Sequence, residues 1–165
     1  KPLKVEHTIS PSMDIQVASN FERLIFDICM SDSKKTLNVM NDLKNKGEFK
    51  LTEKDLKKIN ENFCSESLND DETKLLINKI YRDEKIIIDP HTAVGLGVAQ
   101  KITLEGKTVI LSTAHPSKFS DIVQKETNIK PELPEKLKEI LNIKEKYKKI
   151  SLDLNQVKDF ILNNI

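Results

Sequence analysis

The spacing of apolar residues predicts a series of short amphipathic helices through the first half of the chain. Apolar side chains recur every three or four residues from Phe21 onwards. The same spacing returns in three later stretches, at residues 33–46, 52–63 and 69–80. Ser-Asn-Phe-Glu at 19–22 has the sequence of a capping box, which predicts the start of the first helix. Before it, the loose alternation of polar and apolar residues at 4–9 favours a short strand.

The pattern changes at residues 86–88, where three consecutive isoleucines are typical of a buried parallel strand. Residues 92–100 return to a helical pattern, and 108–111 form a second short apolar run. Pro116 suits the first position of a helix that follows this run. Residues 86–124 therefore predict a strand–helix–strand–helix unit. The predicted fold class is α/β, with parallel strands flanked by helices.

The residues after 124 predict a helical tail. A short helix at 137–141 follows a proline-containing loop, and Asn155 is placed to cap the last helix. Within the preceding unit, Gly95 and Gly97 lie in a predicted helix, where glycine is costly unless a neighbouring backbone packs closely. We divide the chain, 1–165, into a mainly helical part at 1–85, the β-α-β-α unit at 86–124 and the helical tail at 125–165.

Composition and charge disfavour several classes of protein. The 165 residues carry 27 Lys and Arg against 26 Asp and Glu, a net charge of +1, and only 5% are aromatic. Neither nucleic acid nor a membrane surface is an expected partner for such a balanced chain. No apolar run reaches the roughly 18 residues of a membrane span, and no signal peptide opens the chain. Cys29 and Cys64 fit reduced thiols of a cytoplasmic protein.

Two polar clusters directly follow the two predicted strands, Asp-Pro-His-Thr at 89–92 and Ser-Thr-Ala-His at 112–115. Ligands of open α/β sheets bind beyond the carboxyl ends of the strands, so both clusters are expected to line one pocket. Chemistry alone leaves three interpretations open. They are a metal site of Asp89, His91 and His115; a hydrolase that uses Ser112, His115 or His91, and Asp89; and helix capping by these residues.

A third polar patch precedes and opens the first predicted helix. Ser-Pro-Ser-Met-Asp-Ile at 10–15 leads to Ser-Asn-Phe-Glu-Arg at 19–23. Asn20 and Arg23 are three residues apart and therefore share one flank of that helix. The free backbone N–H groups of a helix start, together with an arginine, suit an anion. The alternative is a capped surface helix in which Arg23 forms an ordinary salt bridge.

Taken together, these motifs resemble the threonine synthase family. The resemblance is carried by four motifs in the family's order and rough spacing, at 10–15, 19–23, 89–95 and 112–119, and by the closing segment at 152–160. It covers essentially the whole chain, but only the C-terminal part of a family member. It implies a pyridoxal 5'-phosphate (PLP) enzyme of the tryptophan synthase β-like fold. Such an enzyme converts O-phospho-L-homoserine and water to L-threonine and phosphate, the last step of threonine biosynthesis.

The resemblance also implies roles for individual residues. Thr113 matches the hydroxyl residue that hydrogen-bonds the pyridine nitrogen of PLP, and Asp89 and His91 match the turn that lines the same side of the cofactor. A hydroxyl partner leaves the ring nitrogen largely unprotonated, which suits elimination and replacement chemistry. His115 and Lys118 are expected to have structural roles, and no metal is expected. Substrate binding is expected at three polar positions of the first motifs, Ser12, Asn20 and Arg23.

Two parts of the family's active site are missing from this sequence, the Schiff-base lysine of a Phe-Lys-Asp block and the glycine-rich loop that holds the PLP phosphate. Both belong to the family's N-terminal half. We therefore expect the chain alone to be inactive, and its partner to be that half, with self-association through unpaired strands in its absence. The start at Lys1, without Met, fits a processed terminus or a piece of a longer protein. The alternative function is a non-catalytic remnant or partner-binding module of the same fold.

Overall fold

The computed structural model of the protein describes residues 2, 4–103 and 105–164, and the chain divides into two compact units, Lys1–Glu132 and Leu133–Ile165. The first unit contains helices α1 to α6, and the second contains α7. The helices are α1 Phe21–Ile28, α2 Ser33–Lys46, α3 Glu53–Asn60, α4 Asp70–Glu84, α5 Pro90–Lys101, α6 Ser120–Thr127 and α7 Leu154–Leu162. Short 3₁₀ helices lie at Pro11–Met13, Pro116–Phe119 and Glu135–Asn142.

Helices α1, α2 and α3 pack together within the first unit. Ile25 and Ile28 of α1 are buried, as the apolar spacing of this helix requires. Asp32 caps α2 by accepting two backbone hydrogen bonds, and Gly47 ends the helix at a φ of 72°. Thr52 caps α3 with its hydroxyl oxygen. The helices predicted over these stretches are confirmed.

Helix α4 is central to the rest of this unit, because both α5 and α6 pack on it. Asn69 and Glu72 form a complete capping box at its start. Ile77, Ala93 and Val123, one from each of the three helices, are fully buried. The core thus joins residues from the predicted helical part and from the predicted β-α-β-α unit. The three-part division of the chain stays a prediction.

The two glycines of α5 each contact a side chain rather than a neighbouring backbone. A Cβ atom at Gly97 would lie 2.6 Å from the nearest methyl carbon of Leu68, and one at Gly95 would lie 3.5 Å from a methyl carbon of Ile110. The close approach predicted for these glycines therefore occurs at Gly97, but its source is the leucine side chain. At Gly95 an added Cβ would make only an ordinary van der Waals contact with Ile110.

The parallel strands predicted for this protein are not formed in the part of the chain that the structure describes. Residues 86–88 and 108–111 lie in irregular segments, and no backbone hydrogen bond joins either to another described residue. A strand exists only with a hydrogen-bonding partner, which explains the difference. In the second segment, only Ile110 is partly covered: it is half-buried beside Gly95 of α5, whereas Val109 and Leu111 are 82% and 74% exposed.

Three local features also differ from the sequence prediction. The capping box predicted at 19–22 does not form, because Asn20 takes the cap position of α1 and its side chain makes no capping hydrogen bond. Asp153 caps the last helix, and Asn155 lies inside it. The strand predicted at 4–9 is an irregular segment. Several residue types cap helices well, so adjacent Ser, Asp and Asn residues compete and the sequence pattern does not choose between them.

The second unit, Leu133–Ile165, consists of two short helical elements. The helix predicted at 137–141 is the 3₁₀ helix Glu135–Asn142. The ammonium group of Lys148 lies 5.3 Å from the centre of the Phe160 ring, a cation–π contact with α7. Across both units, no described helix combines the length and the apolar character that crossing a membrane would require.

Candidate functional site

Asp89 is the centre of the candidate site, because its carboxylate is fully buried at the start of α5. It accepts the backbone N–H groups of His91 at 2.9 Å and Thr92 at 3.2 Å, which is the geometry of a helix cap. It also accepts the hydroxyl of Thr92 and lies 2.9 Å from Nδ1 of His91. Four donors match the acceptor capacity of a carboxylate, so neither buried oxygen is left unsatisfied.

His91 links this helix start to the loop that carries Ser12. Its ring is buried, and Nε2 accepts the backbone N–H of Ser12 at 3.2 Å. Because Nε2 accepts, the ring proton lies on Nδ1 and is donated to Asp89. The ring of Phe119 packs on the imidazole, with centroids 4.7 Å apart and planes tilted by 53°. The structure thus brings together two predicted site residues that are far apart in sequence, His91 and Ser12.

The two polar clusters that follow the predicted strands also meet. The hydroxyl oxygens of Thr92 and Ser112 lie 3.4 Å apart, within hydrogen-bond range. Thr113, the next residue, is exposed. His115 instead caps the 3₁₀ helix that follows, with Nδ1 accepting the backbone N–H of Ser117 at 3.2 Å. The clusters therefore share one surface, and the contact is made by hydroxyl groups.

Two of the arrangements considered from the sequence are not formed among the described residues, namely the metal-ligand trio and the hydrolase that would use His91. Within residues 2, 4–103 and 105–164, no three His, Cys, Asp or Glu side chains are grouped to hold a metal ion, which excludes a trio of Asp89, His91 and His115. A Ser-His-Asp hydrolase requires a serine hydroxyl on the histidine that the acid orients. His91 accepts a backbone N–H instead, and the hydroxyl of Ser112 lies beside Thr92. Helix capping by Asp89 is confirmed.

The loop that carries Ser12 is folded around Asp14. The carboxylate of Asp14 accepts the Thr8 hydroxyl at 2.7 Å and the Thr8 backbone N–H at 2.8 Å. These hydrogen bonds hold the pKa of Asp14 below its usual value, against the opposing effect of desolvation. The loop has a further anchor in the first turn of α4, where Asp70 accepts the backbone N–H of Ile9 at 3.1 Å. Three points therefore fix the loop, including the bond to His91.

Sequence reasoning missed the anchors Thr8, Asp14 and Asp70. A signal existed for Asp14, which lies inside the polar motif at 10–15 and is the acidic residue of that motif. No signal existed for Asp70, because its bond to the loop depends on how α4 packs and not on any local pattern. Such tertiary hydrogen bonds become visible only once the helices are placed.

The third predicted group, at the start of α1, is open to solvent. Asn20 and Arg23 are both exposed, and the Asn20 amide is not used to cap the helix. In the described part of the chain, no carboxylate lies within ion-pair distance of the Arg23 guanidinium. Among these described residues, the salt bridge that would make Arg23 an ordinary surface residue is thus not formed. An amide and a guanidinium on one flank are both able to donate hydrogen bonds to an anion.

Comparison with known proteins relates the chain to one family. Residues 92–161 match the family model for the C-terminal part of threonine synthase. The threonine synthase of Saccharomyces cerevisiae is 34% identical, over 96% of this chain and 36% of its own length. That of Pseudomonas aeruginosa is 32% identical, over 93% of this chain and 34% of its own length. The chain thus spans about a third of the length of the curated relatives that it matches.

Solved structures give the same relation. The crystal structure of PLP-bound threonine synthase from Brucella melitensis superimposes on 99% of this chain with a TM-score of 0.82 and 34% identity, and 35% of that protein is covered. For the yeast enzyme the TM-score is 0.77 over 96% of this chain, again at 34% identity, with 36% of the enzyme covered. Sequence and fold therefore agree that the chain belongs with the threonine synthases, as a relative of their C-terminal portion.

Proposed function

We propose that this chain forms the C-terminal part of a PLP-dependent threonine synthase, a lyase that converts O-phospho-L-homoserine and water to L-threonine and phosphate. One observation carries the proposal. The hydroxyls of Thr92 and Ser112 meet at 3.4 Å, which holds the turn that carries Thr113 against the turn that carries Asp89. These two turns would form one wall of the cofactor pocket. The related Brucella melitensis enzyme is described as PLP-bound.

The residues of this chain fit one side of a PLP site. The exposed hydroxyl of Thr113 suits a pyridine nitrogen, because a hydroxyl hydrogen-bonds without adding a full charge. The glycines do not suit the cofactor's phosphate. Gly95 and Gly97 lie within α5, and Gly47 and Gly106 lie at separate bends with positive φ. We infer that the N-terminal half of the enzyme holds the phosphate and supplies the Schiff-base lysine.

The substrate's phosphate would bind on the exposed flank of α1. Arg23, which has no carboxylate partner in the described residues, offers a planar set of N–H donors that matches phosphate oxygens. Asn20 adds an amide donor, whereas the backbone N–H groups of Phe21 and Arg23 are already bonded to the carbonyls of Ala18 and Asn20. Ser12 is exposed on the loop tied to His91 and completes the proposed substrate ligands. Bound there, the phosphate is oriented as the leaving group, while PLP, when bound, supplies the electron sink for the reaction.

The irregular segments 86–88 and 108–111 are proposed to become parallel strands in the complete enzyme. Half-buried Ile110 lies between exposed Val109 and Leu111, as expected for a strand with one partly covered face. The N-terminal half would supply the neighbouring strands, since the chain spans only about a third of its relatives. Without that half, we expect the chain to self-associate through these edges. The cytoplasm is the proposed location of the enzyme.

A chimera tests this function directly. This chain replaces the C-terminal portion of the Saccharomyces cerevisiae enzyme, and threonine and phosphate formed from O-phospho-L-homoserine are measured. We expect activity in the chimera and none in the chain alone supplied with PLP. Thr113→Val is expected to abolish most of the activity, whereas the matched control Thr113→Ser, which keeps the hydroxyl, retains it. A folded, PLP-loaded chimera that forms no threonine would support the alternative function, a non-catalytic module of the same fold.

A further inference from the structure

The polar atoms of Asp89 and His91 are all engaged inside the protein, and this bears on what they do in the proposed site. The carboxylate of Asp89 has four donors, which fill its acceptor positions. One ring nitrogen of His91 lies on that carboxylate, and the other accepts the N–H of Ser12. Neither residue can bond a ligand through these atoms without giving up a buried hydrogen bond, which is unfavourable.

We propose that His91 is a positioning residue that fixes the Ser12 loop against the turn carrying the proposed cofactor residue Thr113. The inference rests on the proposed function, because it gives those two segments their roles. Its physical basis is a continuous series of contacts from Ser112 through Thr92 and Asp89 to His91 and Ser12. A movement of either end of this series breaks a hydrogen bond of a buried group.

Asp89 sets the state of His91 that this role requires. A neutral imidazole donates from one nitrogen and accepts with the other. Because the carboxylate of Asp89 faces Nδ1, the proton is held there and Nε2 is left as an acceptor that faces Ser12. Phe119, packed on the imidazole, restricts rotation of the ring. Nε2 of His91 is therefore held in its unprotonated, accepting form and is directed towards the N–H of Ser12.

On the loop side of the contact between His91 and Ser12, the donor is a backbone N–H in a defined position. Ser12 lies in the 3₁₀ helix Pro11–Met13, whose first N–H groups have no partner within the helix. The backbone N–H of Ser12 is satisfied by His91, while Asp14 and Asp70 hold the residues before it. Of these three hydrogen-bond partners, only His91 lies at the start of α5, next to the proposed cofactor pocket.

The state of the ring is tested by nitrogen NMR of the histidine side chains in the 165-residue chain at neutral pH. We expect Nδ1 of His91 to carry the proton and Nε2 to be unprotonated. A proton on Nε2 would overturn the proposal, because Nε2 would then face the N–H of Ser12 as a second donor. This measurement requires neither PLP nor enzyme activity.

Two substitutions separate the loop contact from the buried carboxylate. His91→Asn keeps a donor for Asp89 but is too short to reach Ser12, whereas His91→Gln places a carboxamide near the position of Nε2. We expect His91→Asn to accelerate hydrogen exchange of the Ser12 amide about tenfold, the effect of losing an ordinary hydrogen bond, and His91→Gln to restore protection. Unchanged exchange in His91→Asn would overturn the proposal, provided that the core amides of Ile77 and Ala93 stay protected. If those amides also lose protection, the nitrogen NMR result decides.

The chimera separates this inference from the proposed function. If the unmodified chimera is inactive, the proposed function fails, and with it the positioning role, whatever the NMR result. If it is active, we expect His91→Asn to raise KM for O-phospho-L-homoserine with little change in PLP content, and His91→Gln to recover KM. A loss of PLP with unchanged KM would instead make His91 a cofactor-binding residue and contradict the positioning role.

Discussion

The first turn of α5 and the first turn of α1 use polar side chains in opposite ways. At α5, Asp89 is buried and its carboxylate is saturated by donors from its own helix start. At α1, Asn20 and Arg23 are exposed, and in the described residues neither side chain makes a capping hydrogen bond or pairs with a carboxylate. Both turns carry residues that the motif pattern predicts to bind ligands.

This difference separates residues that set geometry from residues that are free to bind. A buried polar network that is fully satisfied holds its members in one arrangement, so it positions the segments that it joins. Exposed donors with no internal partner have unused hydrogen-bonding capacity, which a ligand could take up. A resemblance in sequence assigns both turns to the site, but only the hydrogen-bond partners distinguish these two roles.

The largest effect on stability is expected when the buried carboxylate of Asp89 is removed. Asp89→Ala leaves several buried donors without an acceptor, and we expect the free energy of unfolding to fall by about 3 kcal/mol, measured by urea denaturation. The matched control is Asn69→Ala, which removes an exposed cap from α4 and is expected to cost only about 1 kcal/mol. Equal losses in the two variants would show that Asp89 is an ordinary cap.

A smaller effect is expected for the hydroxyl that joins the two turns. Thr92→Val keeps the shape of the side chain but removes the hydroxyl that bonds Asp89 and lies beside Ser112. We expect a loss of about 1 kcal/mol in unfolding free energy. Thr92→Ser, which retains the hydroxyl, serves as the control and should lose less. If both variants lose the same amount, packing of the methyl group rather than the hydrogen bond is responsible.

At the open helix start, substitution should leave stability almost unchanged. Arg23→Gln is expected to alter the unfolding free energy by no more than about 0.5 kcal/mol, because the side chain is exposed and unpaired among the described residues. In the active chimera, the same change should raise KM for O-phospho-L-homoserine, and Arg23→Lys should recover part of it. A large loss of stability would place Arg23 with the structural residues and remove the contrast with Asp89.

The smallest effect concerns the acid that shapes the Ser12 loop. The hydrogen bonds from Thr8 lower the pKa of Asp14 from its usual 3.8, so in acid the unfolded chain binds protons before the folded chain does. The stabilisation is therefore complete above the unfolded value and is lost as the pH falls through the lower folded value. Thr8→Val should move the midpoint of the Asp14 titration, followed by NMR, upward towards 3.8. Thr8→Ser should not, and an unmoved midpoint in Thr8→Val would contradict the assigned cause.

The sequence was sufficient to predict helices from their apolar spacing, such as α2, which ends at Gly47, although its cap Asp32 was not predicted. It also predicted that the turns at 89–92 and 112–115 would meet. The prediction of strands at 86–88 and 108–111 is not met in the described residues, because a strand forms only with a partner that no local sequence pattern supplies. Periodicity alone likewise did not reveal that His91 and Ser12 are bonded, since a hydrogen bond between distant segments depends on how they pack.

The main chain of residues 108–111 has a consequence for how the proposed enzyme is assembled. Half-buried Ile110 lies beside Gly95 of α5, while the main-chain groups of this segment make no backbone hydrogen bond within the described chain. Any extended peptide that reaches this segment first is able to form hydrogen bonds with its main chain. For the proposed enzyme, we therefore expect that producing this chain together with the proposed N-terminal half favours strand pairing over aggregation.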